Sequence, residues 1–291
     1  MNSRVPGAVQ YVLAMRSIVQ SAAPQNSDAQ LRIGGPTFDR PRLCNAPLHA
    51  ALRPGHESEL SMDVSVKDRI GVLEELLNER YSVRAFLPRE VPRETIEHLL
   101  ATAQRTASWC NSQPWQVLIA SGEAKERFRK AIYTAAASGA KDSHDFEPPR
   151  EYLGVYLDRR RESGFQLYNT LGITRGDKAA YGKQAMENYN FFGAPHVAII
   201  HTDEPLGIYG AVDCGAYVGN FMLAAQALGL GTIPQAALAR HSGLIRRHFN
   251  LADDRRVVCG ISFGFADNAH KVNSYRTSRA SVADTVTFVE E

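Results

Sequence analysis

The chain has 291 residues, enough for one large domain or two small ones, with 44% hydrophobic residues to build a core and an ordinary 22% charged residues. Its net charge of +2 gives no electrostatic reason to expect nucleic acid or an anionic membrane as partner, and no apolar run approaches the roughly 20 residues of a spanning helix. The four cysteines, Cys44, Cys110, Cys214 and Cys259, form no Cys-x-x-Cys pair and no zinc-like set with histidine, so free thiols in a reducing cytoplasm are expected and a metal site is not.

Residues 1–62 carry recurrent prolines (Pro6, Pro24, Pro36, Pro41, Pro47, Pro54), no lysine before Met62 and no long amphipathic period, which predicts a disordered or loosely packed extension. The mildly apolar stretch 8–19 is interrupted by Gln10 and Arg16 and lacks a small-x-small cleavage site, so secretion is not expected. Residues 63–291 then form the folded domain. Apolar positions Val66, Ile70, Leu73, Leu76 and Leu77 space a helix over 66–78. An extended turn at 80–86 follows. Pro92 and Glu94 open a helix through about residue 107, with Ile96, Leu99 and Leu100 inward. Strand 115–120, helix 123–137, a Pro148-Pro149 break, helices 152–168 and 178–192 and a buried strand at 197–201 come next. A long apolar helix over 209–228, a turn at 232–237, a short helix at 242–249 and a strand at 256–266 complete the order. Helices far outweigh strands and do not alternate with them, which argues for an α+β fold.

Three stretches carry chemistry. Arg80-Tyr81-Ser82-Val83-Arg84-Ala85-Phe86 places two guanidiniums and a hydroxyl together, groups that suit phosphate oxygens. Ser108-Trp109-Cys110-Asn111-Ser112-Gln113-Pro114-Trp115 sets small polar groups and an amide beside two indoles, a wall for a flat ring with polar edges. Arg276 and Arg279 in the stretch 273–279 add two more guanidiniums. Read singly, the arginines are solvated charges and the tryptophans core packing. Gly229-Leu230-Gly231 follows a helix and lacks a third glycine, which excludes a dinucleotide-fold fingerprint. His241 and His248 read as surface histidines, and His196 as a structural residue at a strand start.

Taken together, the pattern Arg-x-Ser-x-Arg-x-Phe, then a helix, then Ser-x-x-Asn-x-Gln-Pro-Trp resembles the opening of the FMN-dependent nitroreductase family, in its nitrobenzoate-reductase-like branch. The resemblance runs from about residue 66 to the C-terminus. It implies a small mixed β-sheet wrapped by helices in an intertwined homodimer, with two FMN sites at the interface and helix 209–228 in the dimer core. It places Arg80, Tyr81, Ser82, Arg276 and Arg279 on the ribityl-phosphate side, Arg279 foremost among the C-terminal pair. Arg84 falls at the pyrimidine edge, where positive charge favours the negative charge that develops on reduction. Ser108, Asn111 and Gln113 fall along the ring, and Pro234, Gln235 and Ala236 in the turn beside flavin N5. Relatives often carry an acidic residue and a glycine where this chain has Gln235 and Ala236. The aromatic-rich stretch 152–192 is expected to shape the acceptor side, with the Arg159-Arg160-Arg161 run a solvated helix face.

The implied activity is ping-pong reduction of nitroaromatic or related small aromatic acceptors by NAD(P)H, with no catalytic side chain because the flavin carries the chemistry. Alternatives on the same fold are reductive dehalogenation or dehydrogenation of a metabolite; a flavin-storing protein is the alternative from another class.

Overall fold

The computed structural model describes residues 66–290, so the expectations for residues 1–62 and Cys44 lie outside the described residues. Among these are eight α-helices and four strands. In chain order they are α1 (Val66–Glu79), α2 (Arg93–Ala103), β1 (Gln116–Ser121), α3 (Gly122–Ala137), α4 (Gly154–Leu171), α5 (Lys178–Met186), β2 (His196–Asp203), α6 (Gly207–Ala227), β3 (Gly231–Gln235), α7 (Ala236–Ala239), α8 (Ser242–Phe249) and β4 (Arg255–Gly264). No described helix is long and apolar enough to cross a membrane.

The strands lie in the order β1-β2-β4-β3, and every pairing is antiparallel. The expected mixed sheet is therefore corrected: parallel pairing is confined to one isolated bridge, Ser82 with Thr232. β2 lies in the middle and is buried along almost its whole length. On one face Ala198 and Ile200 join Ile261 and Phe263 beneath α2 and α6, packing on Leu99, Tyr217 and Phe221. On the other, Val197 and Ile199 meet Phe128 and Ile132 of α3 and Ile245 of α8. Helices on both faces explain why β2 reads as an unbroken apolar run rather than the usual antiparallel alternation.

Two helices end earlier than their apolar spacing predicts. α2 stops at Ala103 rather than near residue 107 because the Thr106 hydroxyl and N–H both turn back to the Ala103 carbonyl, at 2.7 and 3.1 Å. α5 stops at Met186 instead of running to residue 192. Phe191 and Phe192 then adopt left-handed conformations (φ 54° and 53°), a reversal that inserts both rings into the core. The segment 232–237, expected as a turn, contains most of strand β3. Pro234 is tolerated there because β3 is an edge strand.

His196 is structural, as expected. Its Nε2 accepts the Val91 N–H at 2.9 Å and Nδ1 meets Ser121 Oγ at 2.6 Å, a pairing that requires the neutral ring with its proton on Nδ1. Burial pushes its pKa down. His241 is not a surface residue: it is buried against Tyr189, and His248 is half-buried between Phe128 and Phe249.

The extended segment after α1 lies tight on β3. A Cβ built on Gly231 would come within 2.6 Å of Val83 Cγ2 and 3.3 Å of Ala266 Cβ. Gly231→Ala should thus lower stability by about 1–3 kcal/mol, the usual cost of overpacking. Gly182→Ala, in an exposed turn of α5 with nothing within 4 Å, should be neutral or stabilising. Urea unfolding of both variants checks this; equal midpoints would remove the close approach as a constraint.

Candidate functional site

Residues 80–87 form no named strand, yet their backbone is held along its length. Val83 N–H bonds the Thr232 carbonyl at 3.0 Å and Leu87 N–H the Phe265 carbonyl at 2.9 Å. Arg84 N–H donates to Asn273 Oδ1 at 2.9 Å, and Asn273 Nδ2 donates back to the Ala85 carbonyl at 2.9 Å and to the Asp267 carbonyl at 2.8 Å. With the backbone fixed as extended chain, side chains alternate. Val83 enters the core between Ser82 and Arg84, which line two cavities; Phe86, three residues beyond Val83 and outside that alternation, is buried as well.

The first cavity, about 270 Å³, is lined by Arg80, Tyr81, Ser82 and Arg84 from this segment and by Arg276 and Arg279 from the C-terminal stretch. Six sequence-predicted residues thus converge across nearly 200 positions of chain. Arg276 stacks on the Tyr81 ring at 3.6 Å, and Tyr81 Oη donates to Asn268 Oδ1 at 3.2 Å. Arg84 Nη1 donates to the Ser82 carbonyl and to Tyr275 Oη, at 3.2 and 3.0 Å. None of the four guanidiniums has a carboxylate partner among the described residues. Burial and then the Arg279 charge push the Arg80 pKa down, the mark of cations gathered without compensation.

The second cavity, about 290 Å³, shares Ser82 and Arg84 with the first and is closed by Tyr168, Phe192, Pro234 and Ala236. Arg84 is the one guanidinium common to both. Gln235 also lines it, but the whole residue is 2% exposed and its amide is already bonded to Ser262 and Asn188. The side-chain amide is therefore turned into the protein, and the exposed Ala236 is what the β3–α7 junction presents to a ligand. The first N–H groups of α7 have no partner inside the helix, which leaves donors at that junction.

Ser108, Asn111 and Gln113 line neither cavity. Their loop is folded on itself: Gln113 N–H bonds Ser108 Oγ at 2.9 Å, and the Gln113 amide bonds Asn111 Oδ1 at 3.2 Å. Trp109 N–H caps onto Asp213 of α6 at 3.1 Å, and its exposed indole lies edge-on to Tyr209. Trp115 belongs to the core, stacked on Tyr217 with centroids 5.1 Å apart, so only the plain packing reading fits it. Cys110 is exposed in this loop, whereas burial pushes the Cys214 and Cys259 thiols up to about 12.

Asn273 and Tyr275 were not singled out from sequence. Nothing in a lone Asn or Tyr beside two arginines marks the one as a buried staple and the other as a support for Arg84.

The profile described as "Nitroreductase family" matches residues 77–265. The protein named Nitroreductase NfnB from Mycolicibacterium smegmatis is 38% identical over 217 residues, covering 74% of this chain and 92% of that protein. The 4-nitrobenzoate reductase of Pseudomonas putida is 33% identical over 200 residues, covering 69% of this chain and 88% of its own. The crystal structure of the FMN-dependent nitroreductase NfnB from Mycobacterium smegmatis in complex with NADPH superposes with a TM-score of 0.73 at 35% identity, covering 77% of this chain and 100% of that one.

Removing the Asn273 side chain strips partners from one half-buried N–H and two carbonyls at once. Asn273→Ala should cost more than about 2 kcal/mol in urea unfolding, since each orphaned group carries its own desolvation penalty. A loss under about 0.5 kcal/mol would show that water replaces the staple at little cost.

Proposed function

This chain belongs to the nitroreductase family, and on that premise we propose that it is an FMN-dependent oxidoreductase that uses NAD(P)H to reduce nitroaromatic acceptors. The observation that carries the reading is the uncompensated charge: four guanidiniums round one cavity, no acid among them, and a second cavity of about 290 Å³ that shares Ser82 and Arg84 with the first. Such a set calls for a dianion at one end and a neutral aromatic body at the other, which fits the phosphate and ring of FMN. The names of the NfnB relatives, with FMN and NADPH, and of the 4-nitrobenzoate reductases point to the same chemistry.

In this reading Arg80, Ser82, Arg276 and Arg279 hold the phosphate, with Tyr81 fixing the plane of Arg276. Arg84 is braced by Tyr275 so that its charge serves the ring end. Tyr168, Phe192 and Pro234 exclude water from the ring's surroundings. When bound, FMN supplies the hydride-accepting ring, and the protein's part is binding, orientation and electrostatics. NADPH is the first reductant to test, because it is the one named in the complex of the relative.

A second chain would complete the site. Ser108, Asn111 and Gln113 lie on a different part of the surface from the two cavities. Near them α6 presents Ile208, Tyr209 and Val212, exposed by 71%, 46% and 61%. The same helix leaves Gly215 and Gly219 open, with nothing within 4 Å of a built Cβ. α1 adds Ile70, Leu73 and Leu77, each about half exposed. A two-fold pairing through these faces would cover them and bring the 108–113 loop of one subunit to the cavities of its partner.

The purified protein should be yellow, bleach with NADPH under anaerobic conditions and recover its colour with 4-nitrobenzoate; a protein that stays yellow under NADPH is a flavin store instead. Arg279→Ala should weaken FMN binding by about 1.5–3 kcal/mol yet turn over nearly normally when refilled. Arg84→Ala should slow reduction even at saturating FMN. Stopped-flow rates for Arg84→Ala equal to the unaltered protein would take Arg84 out of the ring-end role.

For the pairing, Gly215→Val and Gly219→Leu add side chains that one chain accommodates freely but a helix–helix contact does not. Sedimentation should show a dimer for the unaltered protein and monomers for the variants, with FMN lost alongside. Dimers that persist in both variants would place the interface elsewhere.

A further inference from the structure

Resting on the reading of the two cavities as a flavin site, we propose that Gln235 is a positioning residue: its buried amide locks the β3–α7 junction beneath the ring cavity and keeps that junction free of negative charge at every pH. Gln235 is the last residue of β3 and the N-cap of α7. Its Oε1 accepts from Ser262 Oγ at 2.5 Å, and its Nε2 donates to the Asn188 carbonyl at 2.8 Å. Ser262 is fully buried on β4, and Asn188 lies in the turn after α5, so one carboxamide ties three separate parts of the chain. Asn188 and Gln235 both line the ring cavity, together with Pro234 and Ala236 on either side of the amide.

The residue type matters because the two partners demand opposite roles. Ser262 Oγ offers a proton and the Asn188 carbonyl requires one. An amide meets both with one oxygen and one NH₂. An ionised carboxylate only accepts, so it would satisfy Ser262, oppose the Asn188 carbonyl and bury an unpaired charge. A protonated carboxyl would again meet both demands. Gln235 thus gives at all pH values the arrangement that an acid gives only below its own pKa. The amide is not itself a ligand contact, since its oxygen and its nitrogen are both engaged inward. It acts by fixing the backbone that presents the exposed Ala236, and through the absence of charge behind it.

Gln235→Glu separates this from a merely structural role. The midpoint potential of bound FMN, measured by spectroelectrochemistry in variant and unaltered holoprotein from about pH 5 to about pH 9, is the main readout. The difference between the two should be near zero at the acid end and grow more negative as the carboxyl ionises, because negative charge near the ring opposes electron uptake. The apo-variant provides a flavin-free measure. A buried carboxyl has its folded pKa raised above the unfolded value, so the native state holds more protons in that window. Its thermal stability should therefore match the unaltered apoprotein at low pH and be lost as pH rises. Retention of FMN at the acid end with release at the alkaline end is the same titration read through binding, and supports the proposal.

Ser262→Ala loosens the amide without adding charge. It should leave the FMN Kd within about twofold while slowing reduction of the bound flavin by NADPH about fivefold, in line with one lost hydrogen bond. A flat potential difference across the pH range in an FMN-loaded Gln235→Glu protein, or full-speed reduction in Ser262→Ala, overturns the inference while leaving the flavin site intact. Unaltered protein that takes up no FMN overturns both this inference and the reading beneath it.

Discussion

Everything at the cavities depends on residues 80–87 being held as extended chain between β3 and the C-terminal stretch. The segment has no regular strand partner, so each of its buried polar groups needs a specific bond. Thr232, Phe265 and Asp267 supply backbone partners, and Asn273 supplies two bonds from one side chain and a third to the Asp267 carbonyl. The result is that Val83 anchors in the core between Ser82 and Arg84, which face the cavities, and Phe86 adds a second buried anchor further on. The same bonds bring the 273–279 stretch alongside, which is how arginines nearly 200 residues apart come to share one cavity. Gly231 allows the approach, because any Cβ there would collide with Val83.

Some arginines of this protein are tied to carboxylates. Arg246 meets Asp145, a carboxylate only 4% exposed, which also takes the Val257 N–H at 2.7 Å. Arg240 pairs with Asp142 and, through its hydrogen bond, holds that carboxyl below its usual range. These contacts fasten the 142–150 loop to the α7–α8 connection, to α8 and to β4. At the cavity the pattern reverses: the guanidiniums of Arg84, Arg276 and Arg279 spend their donors on carbonyls and hydroxyls, which orient them without neutralising them. On the proposed reading, cations gathered round a cavity whose lining holds no acid leave that place for an anion from outside.

The second cavity is built on the opposite principle. The β3–α7 junction has its polar side chain turned inward and satisfied, the rings of Tyr168 and Phe192 beside it, and Pro234 limiting the backbone. A stiff, uncharged wall suits a cofactor whose charge changes during turnover, because reorganisation of the surroundings is then small. The two ends meet at Arg84, the one cation common to both cavities.

The sequence determined the helices whose apolar spacing is local and well bounded. α8 spans Ser242–Phe249 as read from Leu244, Ile245 and Phe249, and α3 and α6 differ from their apolar patterns by only a residue or two. It also marked Arg80, Tyr81, Ser82, Arg84, Arg276 and Arg279, which the fold brings to the lining of one cavity. Only the tertiary structure decided the rest. β3 read as a turn because five residues with a glycine and a proline carry too little period, and its strand character comes from pairing with β4. The early stop of α5 follows from the need to bury Phe191 and Phe192, and the burial of His241 from its packing on Tyr189. Gln235 turned inward because Ser262 and Asn188, far away in the chain, were there to receive it. Asn273 became the staple through a bond to Arg84 across 189 positions. Periodicity records what a residue owes to neighbours a turn or a strand away; a hydrogen bond closed across most of the chain leaves no such trace until the fold has brought its partners together.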